Sequence, residues 1–382
     1  MNNYDYIIIG AGASGLMLAY RMANDAFFDD KSILIIDQEK DKGNDRTWCF
    51  WDKPNGEWDS LSTRSWKKIY FGSPEYSEIL NIEPYRYNMI RSASFYNALW
   101  HTIEKKDNIV FKNETFESLR DNRAFVTVVT SNKIYKAKKV FSSVLIDRTF
   151  ELQDKYPVLK QHFVGWFIKT KESVFDDEVA TFMDFNIPQN NNTRFMYVLP
   201  LSKNEALVEY TLFSESLLKE KEYELELKAY LKNSSIKSYD IIEKEHGSIP
   251  MTSYKFFNAN TNNVMFIGTA GGWTKASTGY TFMSTTQKTK ELVKFLKKNK
   301  SFKKFSKRNK FWFYDLLLLD VLANDNANGS KLFSSLFKKT KTETIFKFLD
   351  EKSNFYEDLK IITGVPPFKF VIAVAKRLFF MR

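Results

Sequence analysis

A single glutamate interrupts an apolar, β-branched segment in the middle of the chain. Residues 206–211 read ALVEYT, and Glu209 is their only charged residue. Side chains of a strand alternate between the two faces, so Val208 and Tyr210 share one face and Glu209 lies on the other. We expect a carboxyl group among such neighbours either at an exposed sheet edge or facing a cavity.

Three glycines near the start of the chain have the spacing G-x-G-x-x-G. They follow a short isoleucine-rich strand and open a helix, and a second strand ends at Asp37. Gly10 permits a tight turn, Gly12 lets the backbone approach a pyrophosphate, and Gly15 allows close packing of helix and strand. The pyrophosphate then lies at the helix N-terminus, and Asp37 accepts hydrogen bonds from the ribose. Strand, glycines, helix and acid in this order predict a dinucleotide site.

A second glycine-rich segment, GTAGGWTKASTGYTF, occupies residues 268–282 between a predicted strand and a predicted helix. A glycine fingerprint so close to the start of a chain of 382 residues is typical of two-domain flavoproteins, so we predict FAD. We expect Gly268 and Thr269 to contact the ribityl–phosphate region and the flavin ring. A helix beginning at Gly279 would direct its N–H groups toward the N1–C2=O edge and stabilise an anionic reduced flavin.

The composition indicates a globular protein with a basic, aromatic C-terminal region. The chain is 43% hydrophobic, and its net charge is +11. Residues 290–310 contain ten basic residues and one acid, interleaved with phenylalanines. This segment is either a solvated helix face or a contact surface for an anionic membrane. No nucleic-acid-binding motif accompanies it, so we expect no nucleic-acid partner.

Several residue types bear on localisation and metal binding. Cys49 is the only cysteine, so no intramolecular disulfide forms, which fits a reducing compartment. No signal peptide and no apolar stretch of about 18 residues are present. We expect a cytoplasmic protein, peripheral to the inner face of the membrane. His162 and His246 lack metal-ligand spacing, so we expect no metal site and assign neither histidine a role.

The order of predicted elements indicates an α/β fold. It combines a Rossmann-type FAD-binding unit, an inserted, mostly antiparallel β-sheet unit that binds the substrate, and a helical C-terminal region. The strand that ends at Val144–Asp147 is expected to return to the FAD-binding sheet, and a helix is expected at about 214–233. The expected units are an FAD-binding unit of residues 1–150 and 256–298, a sheet unit of residues 151–255, and a helical, membrane-facing region of residues 299–382.

Five segments together resemble the lycopene cyclase family of carotenoid biosynthesis, particularly its bacterial β-cyclase branch. In chain order they read DYIIIGAGASGLMLAYRM, DRTWCFW, TFMDFNIPQNNNTRFMYVLPLSKNEALVEYT, HGSIPM and GTAGGWTKASTGYTF. Their order and spacing match over roughly residues 4–290. The third and fifth segments are more specific to the family than the glycine fingerprint.

The resemblance implies an acid-catalysed, non-redox cyclisation of the ψ-ends of lycopene to β-rings, giving γ-carotene and β-carotene. The family uses reduced FAD as a stabiliser of the carbocation, with NAD(P)H as a candidate reductant. Glu209 matches the motif acid of the family, which implies that it is the catalytic proton donor. Burial would raise the pKa of this carboxyl and keep it protonated. Where the family often has a second acid, this chain has Tyr210.

Some alternatives stay open at this stage. Asp184 matches a family motif. Its role is either to shape the site or to form a structural hydrogen bond. A redox flavoenzyme of related architecture, such as a prenyl or geranylgeranyl reductase or an FAD monooxygenase, would consume NAD(P)H stoichiometrically. A non-catalytic carotenoid- or lipid-binding protein would not need the acid at position 209. The sequence leaves open which ψ-end carotenoid is used, whether one or both ends react, and the oligomeric state.

Overall fold

The computed structural model describes residues 2–146, 148–305 and 308–380, which form three β-sheets and a set of helices. The strands are β1 (Asn2–Ile9), β2 (Ile33–Asp37), β3 (Thr47–Asp52), β4 (Arg64–Trp66), β5 (Lys68–Ser73), β6 (Tyr76–Asn81), β7 (Arg86–Arg91), β8 (Ile109–Asn113), β9 (Phe116–Asp121), β10 (Val126–Thr130), β11 (Ile134–Ser142), β12 (Leu159–Lys169), β13 (Val179–Asp184), β14 (Thr193–Pro200), β15 (Glu205–Ser214), β16 (Asp240–Met251) and β17 (Val264–Phe266). The helices are α1 (Ala13–Ala23), α2 (Ser92–Ile103), α3 (Glu220–Asn233), α4 (Phe282–Leu296), α5 (Lys310–Asn324), α6 (Gly329–Lys339), α7 (Thr342–Leu349), α8 (Phe355–Gly364) and α9 (Pro367–Phe380).

The first sheet has the order β8-β2-β1-β11-β10-β9, with β17 also paired to β11. Strands β8, β2, β1, β11 and β17 run parallel, β10 is antiparallel to β11, and β9 is antiparallel to β10. The inner strands β1 and β2 are buried on both faces, as parallel sheets covered by helices require. Helix α1 follows β1 directly and packs against α2 and α4. The predicted α/β fold of the flavoprotein type is confirmed.

The end of β11 differs from the expectation. The strand pairs with β1 and ends at Ser142, whereas we expected the segment Val144–Asp147 to return to this sheet. The reason is that β1 itself ends there, since the N–H of Ser143 donates to the carbonyl of Ile9 at 2.9 Å. The pairing of β11 with β1 therefore ends at Ser142. Asp147 lies outside the described residues.

The second sheet has the order β16-β12-β15-β14-β13-β5-β6 and is antiparallel except between β13 and β5. Its strands β5 and β6 come from residues 68–81, which we had expected to belong to the FAD-binding unit. The division of the chain into three units remains a prediction. Helix α3 covers one face of the sheet and begins at Glu220 rather than near residue 214, because β15 continues to Ser214.

Helices α5 to α9 cover the opposite face of the second sheet. Two buried aspartates of α5 anchor this region. Asp315 pairs with Lys275 of the glycine-rich segment at 3.0 Å, and Asp320 accepts from the guanidinium of Arg377 on α9. Most apolar side chains of α5 are buried, so α5 is a core helix. Among the described residues, no helix is long and apolar enough to cross a bilayer.

Candidate active site

Glu209 lies in the interior of the second sheet. Its strand, β15, is flanked by β14 and β12, where Tyr197 and Gly165 are the register partners of Glu209. On the far side of Gly165, β16 places Glu245 in register with the same glycine. A row across three strands therefore brings two carboxyl groups onto one face with a glycine between them. Glu209 is 9% exposed, and Glu245 is 8% exposed although β16 is the edge strand of the sheet, so both side chains are covered.

Gly165 is the residue that allows the two carboxyl groups to approach. A Cβ at this position would lie 3.1 Å from Cγ of Glu245 and 3.4 Å from Cβ of Glu209. It would also lie 2.9 Å from a methyl group of Leu207, which is closer than real Cβ atoms come. A larger residue would therefore separate the two glutamates.

The two carboxyl groups lie near enough to shift each other's pKa. Burial and the neighbouring charge of Glu245 raise the pKa of Glu209 to about 8. Burial also raises the pKa of Glu245. Each carboxyl accepts one hydroxyl hydrogen bond, from Thr211 to Glu209 at 2.5 Å and from Thr47 to Glu245 at 2.7 Å. At neutral pH the pair retains a proton, so Glu209 can act as an acid.

Both glutamates line a cavity of about 310 Å³, which we call the carboxyl cavity. The segment 278–282, which leads into α4, forms part of its wall. No side chain caps the N-terminus of α4, so the first N–H groups of this 15-residue helix are available to negative charge. Gln161 also lines the cavity. Its side-chain carbonyl oxygen is buried and has no hydrogen-bond partner among the described residues.

Gly279 lies in this wall, but α4 does not begin there. The helix starts at Phe282, so the prediction of a helix beginning at Gly279 was wrong. Gly279 has a φ of +71°, which an α-helix excludes, and its N–H closes a turn on the carbonyl of Lys275 at 2.9 Å. A side chain at this position would also overlap the amide of Gln161. Glycine is therefore required by both the turn and the cavity wall.

The first glycine motif forms the turn from β1 into α1. Gly10 has a φ of +95°, and a side chain there would overlap Ser143. A Cβ at Gly15 would overlap the carbonyl of Gly10, which explains the close packing of helix and strand. By contrast, a Cβ at Gly12 would meet nothing within 4 Å. Gly12 is the N-cap of α1 and has no capping side chain, so open space lies before an uncapped helix N-terminus.

The acid at the end of β2 is already hydrogen-bonded to the protein. One oxygen of Asp37 accepts from the N–H of Ala11 at 2.6 Å, and the other pairs with Lys42 at 2.8 Å. Asp37 thereby ties β2 to the glycine turn. The oxygen that pairs with Lys42 also accepts from the N–H of Glu39 at 3.0 Å, so the oxygen bonded to Ala11 is the one with a second lone pair for a ribose hydroxyl.

Gly268 links the two predicted cofactor segments. A side chain at Gly268 would crowd the hydroxyl of Ser14 in the first turn of α1. The next residue, Thr269, lines the carboxyl cavity and forms a hydroxyl–hydroxyl contact of 2.9 Å with Thr274. Gly268 and Thr269 thus adjoin both the first turn of α1 and the wall of the carboxyl cavity. These residues could hold a dinucleotide that extends from the glycine turn.

A second cavity, of about 540 Å³, lies between the second sheet and helices α5 to α9. Its wall is almost entirely aromatic and aliphatic, and we call it the apolar cavity. Four residues line both cavities and therefore form the wall between them: Gln161, Tyr197, Thr278 and Tyr280. The hydroxyl groups of the two tyrosines lie 3.2 Å apart. An apolar ligand in this cavity would point one end toward Glu209.

Other candidate residues lie away from the two cavities. His162 belongs to the α3-covered face, where its ring nitrogens contact the hydroxyls of Tyr223 and Ser214. His246 is exposed. Asp184 accepts from the hydroxyl of Tyr230 at 2.9 Å and from the N–H of Asn186 at 3.0 Å, which is a structural arrangement.

Comparison with known proteins identifies the family. A family model described as lycopene cyclase protein matches residues 5–377. The chain belongs to the lycopene cyclase family. The lycopene beta-cyclase of Pantoea ananas is 22% identical over 270 residues, which cover 65% of this chain and 63% of that relative. The match thus spans less than two thirds of the length of the curated relative.

Solved structures share the fold at low identity. A geranylgeranyl bacteriochlorophyll reductase-like protein from Thermoplasma acidophilum superposes with a TM-score of 0.59 at 15% identity, covering 99% of each chain. A flavoprotein/dehydrogenase from Cytophaga hutchinsonii gives a TM-score of 0.61 at 12% identity, also covering 99% of each chain. These similarities identify the fold of this lycopene cyclase family member.

Sequence reasoning missed Glu245. Tyr210 stands beside Glu209 in the chain, but it projects to the α3-covered face, where its hydroxyl accepts from Arg194 at 2.8 Å. The second carboxyl group comes instead from β16, directly before the segment HGSIPM that carries the family resemblance. Only the pairing of β12 with both β15 and β16 brings Glu245 to Glu209. A search for acids near family motifs could have identified it as a candidate.

Proposed function

We propose that this protein is a lycopene β-cyclase that converts the ψ-ends of lycopene to β-rings without net redox change. The observation that carries the proposal is a buried glutamate, with a pKa raised by burial, in a cavity that shares a wall with a larger apolar cavity. Cyclisation needs an acid and an apolar site together, because an isolated alkene is a weak base and competes poorly with water for the proton. The family membership of the chain supports a carotenoid as the substrate.

Glu209 is the proposed catalytic acid. It would donate its proton to the terminal double bond of the ψ-end, and the neighbouring double bond would close the ring on the resulting tertiary cation. The interior position of β15 holds the carboxyl rigidly, and apolar neighbours such as Leu199 and Leu207 keep water from the cavity wall. The apolar cavity would hold the polyene, with the residues around Tyr197 and Tyr280 admitting its end.

FAD is the proposed cofactor, held by Gly10, Gly12, Gly15 and Asp37 at its adenosine end and by Gly268 and Gly279 toward its ring end. The open space at Gly12 and the uncapped N-termini of α1 and α4 support this assignment. Reduced FAD, when bound, would supply negative charge that stabilises the carbocation, with NAD(P)H as the proposed reductant. The uncapped N-terminus of α4 would favour that charge.

A membrane surface is the proposed source of the substrate. The apolar cavity reaches the protein surface between α8 and α9, where large apolar side chains are exposed. We call them the apolar rim, and they are Ile362, Phe368, Val371, Ile372 and Leu378. Lys360 and Lys376 are exposed on the same two helices and could face anionic head groups. This arrangement supports a peripheral location at the cytoplasmic face, with lycopene entering from the bilayer.

The decisive experiment is anaerobic incubation of the purified protein with FAD, a reductant and lycopene in liposomes. Products would be separated chromatographically and weighed by mass spectrometry. We expect products of unchanged mass with β-ring absorption. A product two hydrogens heavier, or one that gains oxygen in air, would instead identify a reductase or monooxygenase. Absence of any product despite bound flavin would contradict the assignment of lycopene as substrate.

Two glycine variants test the cofactor assignment. Gly12→Ala adds a methyl group into open space and should leave the fold intact, yet it should weaken FAD binding at least about tenfold by blocking the pyrophosphate. Gly15→Ala should destabilise the fold itself, because its methyl group overlaps the carbonyl of Gly10. FAD titration and thermal unfolding of both variants separate the two effects. Unchanged FAD affinity in Gly12→Ala would contradict the proposed pyrophosphate site.

A further inference from the structure

The proposed reaction needs a base as well as an acid. One ψ-end gains a proton at its terminal double bond and later loses a proton from a ring carbon. A lone Glu209 would donate its proton and then have to recover one. The structure offers a second buried carboxyl group in the same cavity, that of Glu245, which the family resemblance did not indicate.

We propose that Glu245 and Glu209 act as one proton-transfer unit, in which Glu245 keeps Glu209 protonated and the pair recovers the proton that the ring releases. This inference rests on the proposed cyclase function. Three geometric observations carry it. The two strands present their glutamates on either side of Gly165, and both side chains line the carboxyl cavity. A Cβ on Gly165 would lie within 3.4 Å of both glutamate side chains.

The proton balance closes within the pair. In the resting site the pair holds one proton and one negative charge. Donation breaks the O–H bond of Glu209 and forms a C–H bond on the substrate, which leaves two adjacent, buried carboxylates. Two like charges at this distance repel strongly, so the doubly ionised pair is a strong base. It removes the proton from the ring carbon as the β-ring double bond forms, and the pair returns to its starting charge.

The surroundings of the pair favour one shared proton. The charge of Arg91 opposes the rise in the pKa of Glu245, but one guanidinium nitrogen of Arg91, Nη2, donates to both carboxylate oxygens of Glu243 at 2.6 and 2.7 Å. The hydroxyls of Thr211 and Thr47 each donate to one of the carboxyl groups, and the charge of Glu245 raises the pKa of Glu209. The other ionisable side chains around the pair are Arg46, Cys49, Tyr87, Arg91, Tyr197, Glu243 and Tyr280.

The first test is Glu245→Gln, which preserves volume and an acceptor for Thr47. We expect the turnover number to fall about a hundredfold. We also expect the alkaline limb of the pH–rate profile to move to lower pH by at least about one unit, because Glu209 loses the adjacent negative charge that holds its proton. Glu205→Gln is the matched control, since this glutamate lies on the same strand as Glu209 but pairs with Lys169 at the surface.

A second variant keeps both acids and separates them. Gly165→Ala inserts a methyl group between the carboxyls, so its pH–rate profile should move in the same direction as that of Glu245→Gln. Flavin absorbance and thermal unfolding would verify that each variant is folded. If turnover falls in Glu245→Gln while the pH–rate profile stays unchanged, Glu245 has only a structural role and the proposal is overturned. Unchanged turnover overturns it as well.

A substrate-free measurement separates this proposal from the proposed function. Infrared titration of the protein without substrate follows the carbonyl band of protonated carboxylic acids. We expect a band in the wild type that persists to about pH 8 and disappears at lower pH in Glu245→Gln. If that band behaves as expected but lycopene is not cyclised, the pair exists and the proposed function is wrong. If lycopene is cyclised without such a band, the shared proton is wrong.

Discussion

The two faces of the second sheet each bury an ionisable side chain, and the carboxyl cavity lies on the face that α3 does not cover. On the α3-covered face, burial lowers the pKa of His162 to about 4, and both ring nitrogens contact hydroxyl groups. On the opposite face, burial raises the pKa of Glu209 to about 8, and the carboxyl lines a cavity. Both groups are neutral at pH 7, and their strands are neighbours.

The difference shows that a shifted pKa does not by itself identify a catalytic group. His162 is enclosed by side chains of β12, β15 and α3, so its neutral form only completes a hydrogen-bonded core. Glu209 has a neighbour, Gly165, that takes up almost no space, and an adjacent cavity that can accept a ligand. Access to a ligand distinguishes the two faces.

The largest expected effect is the contrast between variants of these two residues. Glu209→Gln should reduce cyclisation by about a thousandfold or more while FAD binding is retained, because the amide cannot donate an acidic proton. His162→Phe should leave the activity of the folded protein unchanged. It should lower the free energy of unfolding by about 1–3 kcal/mol, since two buried hydroxyl groups lose a partner.

Turnover assays at saturating FAD, together with urea unfolding, test this contrast. Retained cyclisation in Glu209→Gln would remove this residue from the mechanism. A large loss of turnover in His162→Phe without loss of stability would mean that the α3-covered face contributes to chemistry, and the distinction between the faces would fail.

A smaller effect is expected in the pH dependence of stability, where Glu209 and His162 contribute with opposite signs. Between pH 4.5 and about 8, the folded state binds more protons at Glu209 than the unfolded state, so stability from this group falls as pH rises. Between about pH 4 and 6.5, the unfolded state binds more protons at His162, so stability from this group rises with pH.

Urea unfolding of Glu209→Gln and His162→Phe over this pH range measures the contribution of each group to the free energy of unfolding. Relative to the wild type, Glu209→Gln should gain on the order of a few kcal/mol between pH 5 and pH 8. His162→Phe should lose relative stability as pH rises from 4 to 6.5, because the wild type recovers its neutral histidine. Curves parallel to that of the wild type would contradict the burial of these groups in their neutral forms.

The sequence predicted what depends on local pattern. The period of two in β15 correctly placed Glu209 and Tyr210 on opposite faces, and the glycine spacing correctly predicted the turn between β1 and α1. The sequence did not predict contacts between segments that are far apart in the chain. Glu245 is 36 residues from Glu209 in the chain, and only their common neighbour Gly165 brings them together. Likewise, nothing within residues 68–81 indicates that β5 pairs with β13.

The start of α4 illustrates a different limit. The segment around Gly279 carries residues compatible with a helix, so the pattern alone placed the start there. The structure instead uses Gly279 in a turn held by backbone hydrogen bonds between Lys275 and both Gly279 and Tyr280. That turn is fixed by the buried ion pair of Lys275 with Asp315 on α5, a contact over 40 residues. A tertiary contact thus determined a local boundary.

The smallest expected effect compares the helices that cover the two faces. Phe368 and Val371 of the apolar rim are 74% and 64% exposed, and Leu225 on the outer side of α3 is 65% exposed. Removing a large apolar side chain from a lipid contact costs about 1.5–3 kcal/mol at most, so Phe368→Ser and Val371→Ser should each weaken liposome binding several-fold. Leu225→Ser, an equally exposed change on the other side, should leave it unchanged.

Co-sedimentation with anionic and neutral liposomes makes this comparison, and the cyclisation assay extends it. If lycopene enters through the rim, the two rim variants should also turn over liposome-bound lycopene more slowly, while detergent-dispersed lycopene should restore most of their rate. Equal binding by all three variants would mean that the exposed apolar side chains of α9 are not the lipid contact. Weakened binding with unchanged turnover would separate membrane attachment from substrate entry, because the apolar cavity would then have to fill by another route.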